Sequence, residues 1–305
     1  MNQDKIYVPP IKIQGIKTKL VPLIQENVQL DPDTVWVEPF MGSGVVGFNI
    51  RPQRAIFADI NPHIINFYNA IKSKSITSYS VRAFLEDEGK KLQAGDGAYY
   101  YEVRSRFNET HSPLDFLFLN RSCFNGMIRF NKNYQFNVPY GHKPQRFSKS
   151  YITKIVNQVK HIEELLDLFD WTFNCCSYEE TISSVANEKA FFYCDPPYIG
   201  RHVDYYDSWD ESSENRLKEL LCASGKSFML STWDFNQYRK NTYIDSTWGF
   251  CRKISKDHFY YVGAKEVNRK PMMEALLINY SPEESHNNCK KSNELYQFVL
   301  SESFL

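Results

Sequence analysis

Residues 34–44 read TVWVEPFMGSG, and this stretch decides the fold class. Its first four residues are β-prone, the run closes at Glu38, and a glycine turn follows at Gly42 and Gly44. Residues 45–50 can then open a helix. A strand, a glycine turn and a helix in this order are typical of α/β units in which the turn backbone approaches a nucleotide-like ligand closely. We therefore predict a cofactor site at this turn.

The glycine turn restricts the kind of cofactor. It lacks the G-x-G-x-x-G spacing, and no Walker lysine follows, so dinucleotides and nucleoside triphosphates are disfavoured. Glu38 suits a cofactor that carries a cationic amino group. Asp59 comes 21 positions later (59 − 38), at the end of the next predicted strand, where a carboxylate can accept both hydroxyls of a ribose. Capping of a helix is the alternative role for Asp59.

The wider pattern predicts a mostly parallel α/β sheet. Further strands are expected at residues 54–58, 189–194, 227–230 and 274–280, and a helix at residues 61–72. Strands that alternate with helices favour a parallel sheet, and the polar clusters follow strands, at the edge where such sheets bind ligands. Residues 75–151 differ, because they combine helical patterns with an irregular aromatic and basic stretch. We interpret them as an inserted domain.

The most informative motif is Asp195-Pro196-Pro197-Tyr198, which directly follows a predicted buried strand. Two successive prolines stiffen the backbone and remove two N–H donors, so carbonyls and a carboxylate form a pocket of acceptors. Such a pocket suits an amine with two N–H donors, such as the N6 group of adenine, and Tyr198 offers a ring for stacking. A proline turn with a capping aspartate is the alternative.

A basic segment favours nucleic acid as the partner. Residues 116–162 contain no Asp or Glu, although the whole chain carries 36 acidic and 36 basic residues and a net charge of zero. Aromatic residues are interleaved with the cations, as in nucleic-acid-binding surfaces. The cations of the segment are Arg121, Arg129, Lys132, Lys143, Arg146, Lys149, Lys154 and Lys160.

Composition narrows the class further. The seven cysteines are scattered without a C-x-x-C pair, so we predict no metal site and a reducing compartment. No apolar run reaches 18 residues and residues 1–10 are polar, so we expect a cytoplasmic protein without a membrane span.

Together these motifs resemble the Dam-like (alpha-group) DNA adenine-N6 methyltransferases, and within them the EcoRV-type modification methyltransferases. The order of glycine turn, insertion and Asp-Pro-Pro-Tyr is also similar to the alpha-group arrangement. The runs that carry the resemblance are PPIK (9–12), GIKTKLVP (15–22), VEPFMG (37–42), NRSCFNGMIRFN (120–131), FNVP (136–139) and CDPPYIGRH (194–202).

The resemblance implies a Rossmann-like, S-adenosylmethionine-dependent methyltransferase sheet (residues 1–74 and 152–282). A mostly helical target-recognition insertion bearing a β-hairpin (75–151) and a polar tail (283–305) complete the chain. It assigns catalysis to Asp195, Pro196 and Tyr198. It assigns cofactor binding to Lys17, Glu38, Phe40, Gly42, Gly44, Asp59 and Asp195. It assigns contacts with DNA or the target base to Lys12, Arg121, Asn125, Met127, Arg129, Asn131, Asn137, Arg201, Ser231 and Trp233.

The activity that the resemblance implies is methylation of a flipped adenine in duplex DNA. The expected site is GATATC or a GATC-like sequence, and the expected setting is a restriction-modification system with a separate endonuclease and a monomeric methyltransferase. Two places in this sequence depart from the family pattern. Ile13 and Gln14 occupy a region in which Dam has a tryptophan, and Met127-Ile128 replaces a leucine-cysteine pair in the hairpin. Two interpretations remain beside it: a non-catalytic DNA-binding regulator, and an N-methyltransferase acting on RNA.

Overall fold

The computed structural model describes residues 5–95, 97–199, 209–236, 240–255 and 272–281. Seven strands form one sheet: β1 (Val35–Glu38), β2 (Arg54–Asp59), β3 (Asp170–Cys175), β4 (Ala190–Cys194), β5 (Ser227–Asn236), β6 (Arg252–Ser255) and β7 (Met272–Ile278). Their order across the sheet is β3-β2-β1-β4-β5-β7-β6. Strands β1 to β5 pair in parallel, and β7 pairs antiparallel with both β5 and β6. The predicted mixed, mostly parallel α/β fold is confirmed.

The centre of the sheet is strand β1, whose four residues are all buried. It pairs with β2 on one side and β4 on the other, so Val37 lies opposite Ile56 and Phe192. Burial on both faces explains why its first three residues are apolar, whereas the fourth is Glu38. The parallel pairing brings the carboxyl ends of three strands to one edge, and the residues that follow those strands meet there.

Ten helices are described in these parts of the chain: α1 (Val21–Asn27), α2 (Gly47–Ile50), α3 (Pro62–Lys72), α4 (Ser78–Ala94), α5 (Ala98–Thr110), α6 (Pro113–Ser122), α7 (Lys149–Leu168), α8 (Tyr178–Ser184), α9 (Glu211–Ser224) and α10 (Tyr243–Ser246). Helix α3 begins as predicted. Asn61 accepts a hydrogen bond from the His63 N–H, and Pro62 occupies the first helical position.

The chain between β2 and β3 is helical and packs on the sheet. One continuous hydrophobic cluster contains Trp36 of the sheet together with Leu85, Phe107 and Phe118 of helices α4 to α6. The predicted boundary between residues 151 and 152 falls inside helix α7. The helical character of residues 75–151 matches the prediction, whereas their role in target recognition remains a proposal.

The predicted hairpin takes the form of a short antiparallel pairing with isolated bridges instead of full strands. Phe130 bridges Phe136, and Cys123 bridges Tyr140. Asn131 closes the turn, because its side-chain oxygen accepts hydrogen bonds from the Asn133 and Gln135 N–H groups at 2.9 and 3.0 Å.

Two edge strands, β3 and β6, were missing from the sequence prediction. Only Trp171 and Phe173 are buried in β3, and none of the four residues of β6 is. Edge strands of this kind carry little apolar pattern. Strand β5 also continues to Asn236 instead of ending at Leu230. No helix in the described ranges is long and apolar enough to cross a membrane. The predicted tail, residues 283–305, lies outside them.

Candidate active site

A cavity of about 480 Å³ opens at the carboxyl edge of the sheet. Residues from the glycine turn, from the end of β2 and from the Asp-Pro-Pro-Tyr motif line the same space. The predicted site residues that line it are Lys17, Glu38, Phe40, Gly42, Asp59, Met127, Asp195, Pro196 and Tyr198. The structure therefore brings together motifs that lie far apart in the sequence.

The glycine turn and the acid of β2 are joined directly. Gly42, with φ +51°, donates its N–H to Asp59 Oδ2 at 2.9 Å, and the Asn61 N–H donates to Asp59 Oδ1 at 2.8 Å. These two bonds fix the orientation of the Asp59 carboxylate at the cavity. Ile13 packs against the turn, because a Cβ at Gly42 would lie 3.4 Å from its Cδ1 atom.

Gly44 differs from its prediction as a cofactor-lining residue. It has φ +75° but is not part of the cavity wall. A Cβ at this position would lie 2.5 Å from the ring of Phe48. Gly44 is therefore required by the packing of the turn against the core, and its effect on a ligand is indirect.

Glu38 is a buried acid on the cavity wall. It is 1% exposed, and Trp36 Nε1 donates to its Oε1 atom at 2.8 Å. Burial raises the pKa of Glu38 to about 8, against the opposing effect of hydrogen bonds from Trp36 and Gly47. A cationic ligand beside Glu38 would favour its ionised form.

Aromatic rings form the opposite rim of the cavity. Phe40 stacks on Tyr178 with ring centroids 5.4 Å apart and meets Trp209 edge-on at 5.5 Å. Ser177 and Tyr178 also line the cavity, at the start of helix α8. The sequence pattern does not indicate these two residues, because strand β3, which precedes this helix, has little apolar pattern.

The carboxylate of Asp195 is fixed by two neighbours. Ser231 Oγ donates to Asp195 Oδ1 at 2.8 Å, and the Lys17 ammonium lies 3.1 Å from the same oxygen. Lys17 also donates to the Tyr198 hydroxyl and to the Gly15 carbonyl, each at 3.0 Å. Among the described residues no hydrogen bond reaches Asp195 Oδ2, and the Asp195 side chain is 22% exposed.

The net effect of burial and these contacts is to raise the pKa values of both Asp195 and Lys17, which favours a neutral Asp195 and a charged Lys17. Burial raises the pKa of Asp195, and Lys17 only partly counteracts this effect. For Lys17, burial favours the neutral form, but Asp195, Tyr198 and Glu274 together raise its pKa well above the ordinary value. Lys17 is therefore an ammonium that lines the cavity and lies between the carboxylates of Asp195 and Glu274.

One member of the cluster was not foreseen. Glu274 on β7 is 2% exposed, and its Oε1 atom accepts the Tyr198 hydroxyl at 3.0 Å and lies 3.3 Å from the Lys17 ammonium. The apolar run at residues 274–280 predicts a strand, but that pattern does not assign a role to Glu274. A lone acid in an otherwise apolar strand was the signal available.

The predicted DNA-contacting residues of the hairpin lie around one exposed segment. Asn125, with φ +55°, is exposed, and Met127 reaches the cavity. Arg129 Nε donates to Asn137 Oδ1 at 2.8 Å, which orients the guanidinium, and Asn131 holds the turn.

Lys12 lies beside this segment among other cations. It is half-buried, and burial together with Arg121 and Arg146 lowers its pKa to about 8. A phosphate group is the kind of ligand that relieves such repulsion.

Three further predicted DNA contacts have other positions. Arg121 is 8% exposed and donates to Gln158 Oε1 at 2.5 Å, and burial lowers its pKa to about 10, so it is a buried structural cation. Ser231 is fully buried beneath Asp195 and positions that carboxylate instead of lining a pocket. Trp233 is half-buried on β5, opposite Glu274. Arg201 lies outside the described residues.

The strand order, with the carboxylates of Glu38 and Asp59 at the ends of β1 and β2, is consistent with the S-adenosylmethionine-dependent methyltransferase fold. Within that fold, the profile of the D12 class N6 adenine-specific DNA methyltransferases matches residues 14–269. Because this match covers most of the sequence, the chain belongs to that family.

Individual relatives agree with this assignment. The chain is 34% identical over 170 residues to a DNA adenine methylase of Haemophilus influenzae, across 53% of this chain and 54% of that protein. It is 30% identical over 220 residues to the retron Ec67 DNA adenine methylase of Escherichia coli, across 69% and 71%. It is 29% identical over 301 residues to the type II methyltransferase M.MjaIII of Methanocaldococcus jannaschii, across 89% and 99%. The chain thus spans about half of the Haemophilus relative and nearly all of the archaeal one.

Proposed function

We propose that the protein is a DNA methyltransferase that transfers a methyl group from S-adenosylmethionine to the exocyclic N6 of adenine in duplex DNA. One observation carries the proposal. Asp195, with Ser231 and Lys17 on its Oδ1 atom, lines the same cavity as the glycine turn. Family membership and relatives named DNA adenine methylases support it.

The residues of the cavity fit the proposed methyl donor. Glu38 is a buried acid whose ionised form needs a cation, and the methionine end of S-adenosylmethionine carries an ammonium. Asp59 places a carboxylate on the cavity wall, the group that binds ribose hydroxyls in such folds, and the rings of Phe40 and Tyr178 line the same cavity and can contact an adenine. The bound donor supplies an electrophilic methyl group on a sulfonium.

The role of the chain in catalysis is to prepare a poor nucleophile. The N6 lone pair of adenine is delocalised into the ring, so the amine reacts only when its hydrogens are drawn away. The Asp195 carboxylate and the Pro196 carbonyl each accept a hydrogen bond from the amine. Pro196 and Pro197 have no backbone N–H and therefore contribute no competing donor. Tyr198 stacks on the base. Holding the amine in this geometry supplies much of the rate enhancement.

Access to the amine requires that the adenine leave the duplex. Unstacking costs a few kcal/mol, which contacts between cations and phosphates offset. Lys12 and the basic stretch after α6 supply such cations, and Arg129 is the proposed base reader. Met127 connects the hairpin to the cavity.

The finer features of the protein are part of the same proposal. The EcoRV-type resemblance favours GATATC as the target site over a GATC-like site. The relatives include a type II methyltransferase and a modification methylase, which supports a restriction-modification setting with a separate endonuclease. A monomer acting in the cytoplasm is the corresponding expectation.

Sequencing of modified bases tests the proposal most directly. Genomic DNA from cells that express the chain should carry N6-methyladenine at one sequence motif, and DNA from cells that express Asp195→Ala should not. The purified protein with tritiated S-adenosylmethionine should label duplex DNA in preference to RNA. Labelling of RNA alone would favour the RNA interpretation, and DNA binding without any methylation would favour a regulator.

A further inference from the structure

The Lys17 ammonium is shared between two carboxylates. It lies 3.1 Å from Asp195 Oδ1 and 3.3 Å from Glu274 Oε1, and it is almost fully buried. Asp195 faces the cavity, whereas Glu274 is not part of the cavity wall. The two acids therefore hold the same cation from different sides, and only one of them can touch a ligand in the cavity.

Tyr198 is the second link between Glu274 and the site. Its hydroxyl donates to Glu274 Oε1 and accepts from the Lys17 ammonium, each at 3.0 Å. The hydroxyl proton of Tyr198 is thus directed toward strand β7.

Glu274 does not have the contacts of a residue retained for stability. Its Oε2 atom is buried and has no hydrogen-bond partner in the described part of the chain. A buried carboxylate with an unpaired oxygen destabilises a fold, and an apolar side chain would serve a strand interior better. A use in the chemistry of the neighbouring site explains its presence.

We propose that Glu274 is a positioning residue for methyl transfer, which rests on the function proposed above. Because the Lys17 ammonium pairs with both Glu274 and Asp195, it neutralises Asp195 less than it would in a single ion pair. Glu274 also accepts the Tyr198 hydroxyl proton in a hydrogen bond, which directs that proton toward strand β7. Asp195 consequently remains a strong acceptor, and the site offers the target amine no competing donor from Tyr198.

The consequence of losing the Glu274 charge follows from the distances. Without it, Lys17 would pair with Asp195 alone, and a carboxylate that is neutralised by its own ion pair accepts a hydrogen bond from the amine less strongly. The Tyr198 hydroxyl would also donate to a neutral oxygen instead of a charged one. Binding of DNA, which depends on other surfaces, should change little.

Glu274→Gln tests this arrangement because it removes the charge and keeps the shape. We expect kcat to fall about 10- to 100-fold, the factor that loss of one charged hydrogen bond produces, with KM for DNA unchanged within about threefold. Asp234→Asn is the matched control. Asp234 is another acid that is 2% exposed, paired with Lys253 at 3.0 Å in the same sheet, but it is absent from the cavity wall.

The pH profile separates positioning from a general structural effect. The negative charge of Glu274 is one of the causes that raise the pKa of Asp195, after burial. Activity requires ionised Asp195 and therefore rises with pH through that pKa. In Glu274→Gln the acid limb of the plot of activity against pH should move to lower pH. Glu274→Asp keeps the charge, so the acid limb should stay where it is in the unsubstituted protein. The other titratable groups that interact with Asp195 are not substituted in these variants. They include Lys17, Glu38, Tyr193 and Tyr198.

The unsubstituted chain in the same assay separates the two proposals. If it does not methylate DNA, both proposals fail. If it does, a Glu274→Gln protein with kcat within twofold of it overturns the positioning role alone. A loss equal to that of Asp234→Asn, or an acid limb that moves equally in Glu274→Asp, overturns it as well. Thermal unfolding of each variant confirms that folded protein is compared, and kcat is measured below the unfolding temperature of the least stable variant.

Discussion

Replacement of Asp195 by Asn should nearly abolish methyl transfer in a folded protein that still binds DNA. The substitution keeps the size of the side chain and allows Ser231 Oγ to donate to the amide oxygen in place of Asp195 Oδ1, now at 2.8 Å. It makes the acceptor neutral, which roughly halves the strength of its hydrogen bonds. It also gives the site an N–H₂ group that competes with the adenine amine.

The magnitude follows from these contacts. Loss of one preorganised charged group at a reacting centre costs about 2.7–4 kcal/mol, so kcat should fall about 10²- to 10³-fold. Stability should fall by only about 1–3 kcal/mol, because Lys17 keeps Glu274 at 3.3 Å as a partner.

The assay is transfer of tritiated methyl groups to duplex DNA at saturating donor, with fluorescence anisotropy for DNA binding and thermal unfolding for stability. The Asp234→Asn control should retain activity. An Asp195→Asn protein within tenfold of the original rate would refute the role of the carboxylate, whatever its affinity for DNA.

Four other predictions test three separate parts of the structure. Gly44→Ala should lower the free energy of unfolding by at least about 2 kcal/mol more than Gly225→Ala by chemical denaturation, because both glycines have positive φ but only a Cβ at Gly44 meets the Phe48 ring. Binding of S-adenosylmethionine at pH 7 should release up to one proton from Glu38, measured by calorimetry in buffers of different ionisation enthalpy; binding without release would contradict the cation site. Since the folded pKa of Glu38 is raised to about 8, the ligand-free protein should also lose stability as pH rises from about 4.5 to 8, and Glu38→Gln should remove that loss. Arg129→Ala should relax discrimination at one base pair by about 1–3 kcal/mol in binding assays with substituted duplexes, and equal weakening on all sequences would show a phosphate contact instead.

Much of the sheet could be predicted from the sequence because its central strands are buried on both faces. Strand β1 is fully buried and stood out as an apolar run, and the glycine turn and Asp59 follow from the chain order of an α/β unit. The edge strand β3 could not be recognised in this way, since only alternate residues contact the core. Ser177 and Tyr178, which line the cavity just after β3, could not be recognised for the same reason.

The side-chain network was less predictable than the motifs. The position of Asp195 beside the glycine turn follows from the strand order, but the hydrogen-bond and ion-pair partners of Asp195 do not. Ser231 was predicted as a pocket residue and is a buried donor, and Arg121 was predicted on the DNA surface and is 8% exposed. Arg121 belongs to the basic segment and to a run that carries the family resemblance, but neither observation indicates whether a charged side chain is buried.

The pairing of Lys17 with Glu274 joins positions that are 257 residues apart (274 − 17). During synthesis on the ribosome, Lys17 and Asp195 are available long before β7 emerges. A nascent chain that lacks this strand would have the cofactor turn and the Asp-Pro-Pro-Tyr motif without the second anion for Lys17. The proposed site is therefore complete only after the last described strand has docked, which would delay modification of DNA until the whole fold has formed. Two fragments divided before β7 should, for the same reason, regain activity only when combined.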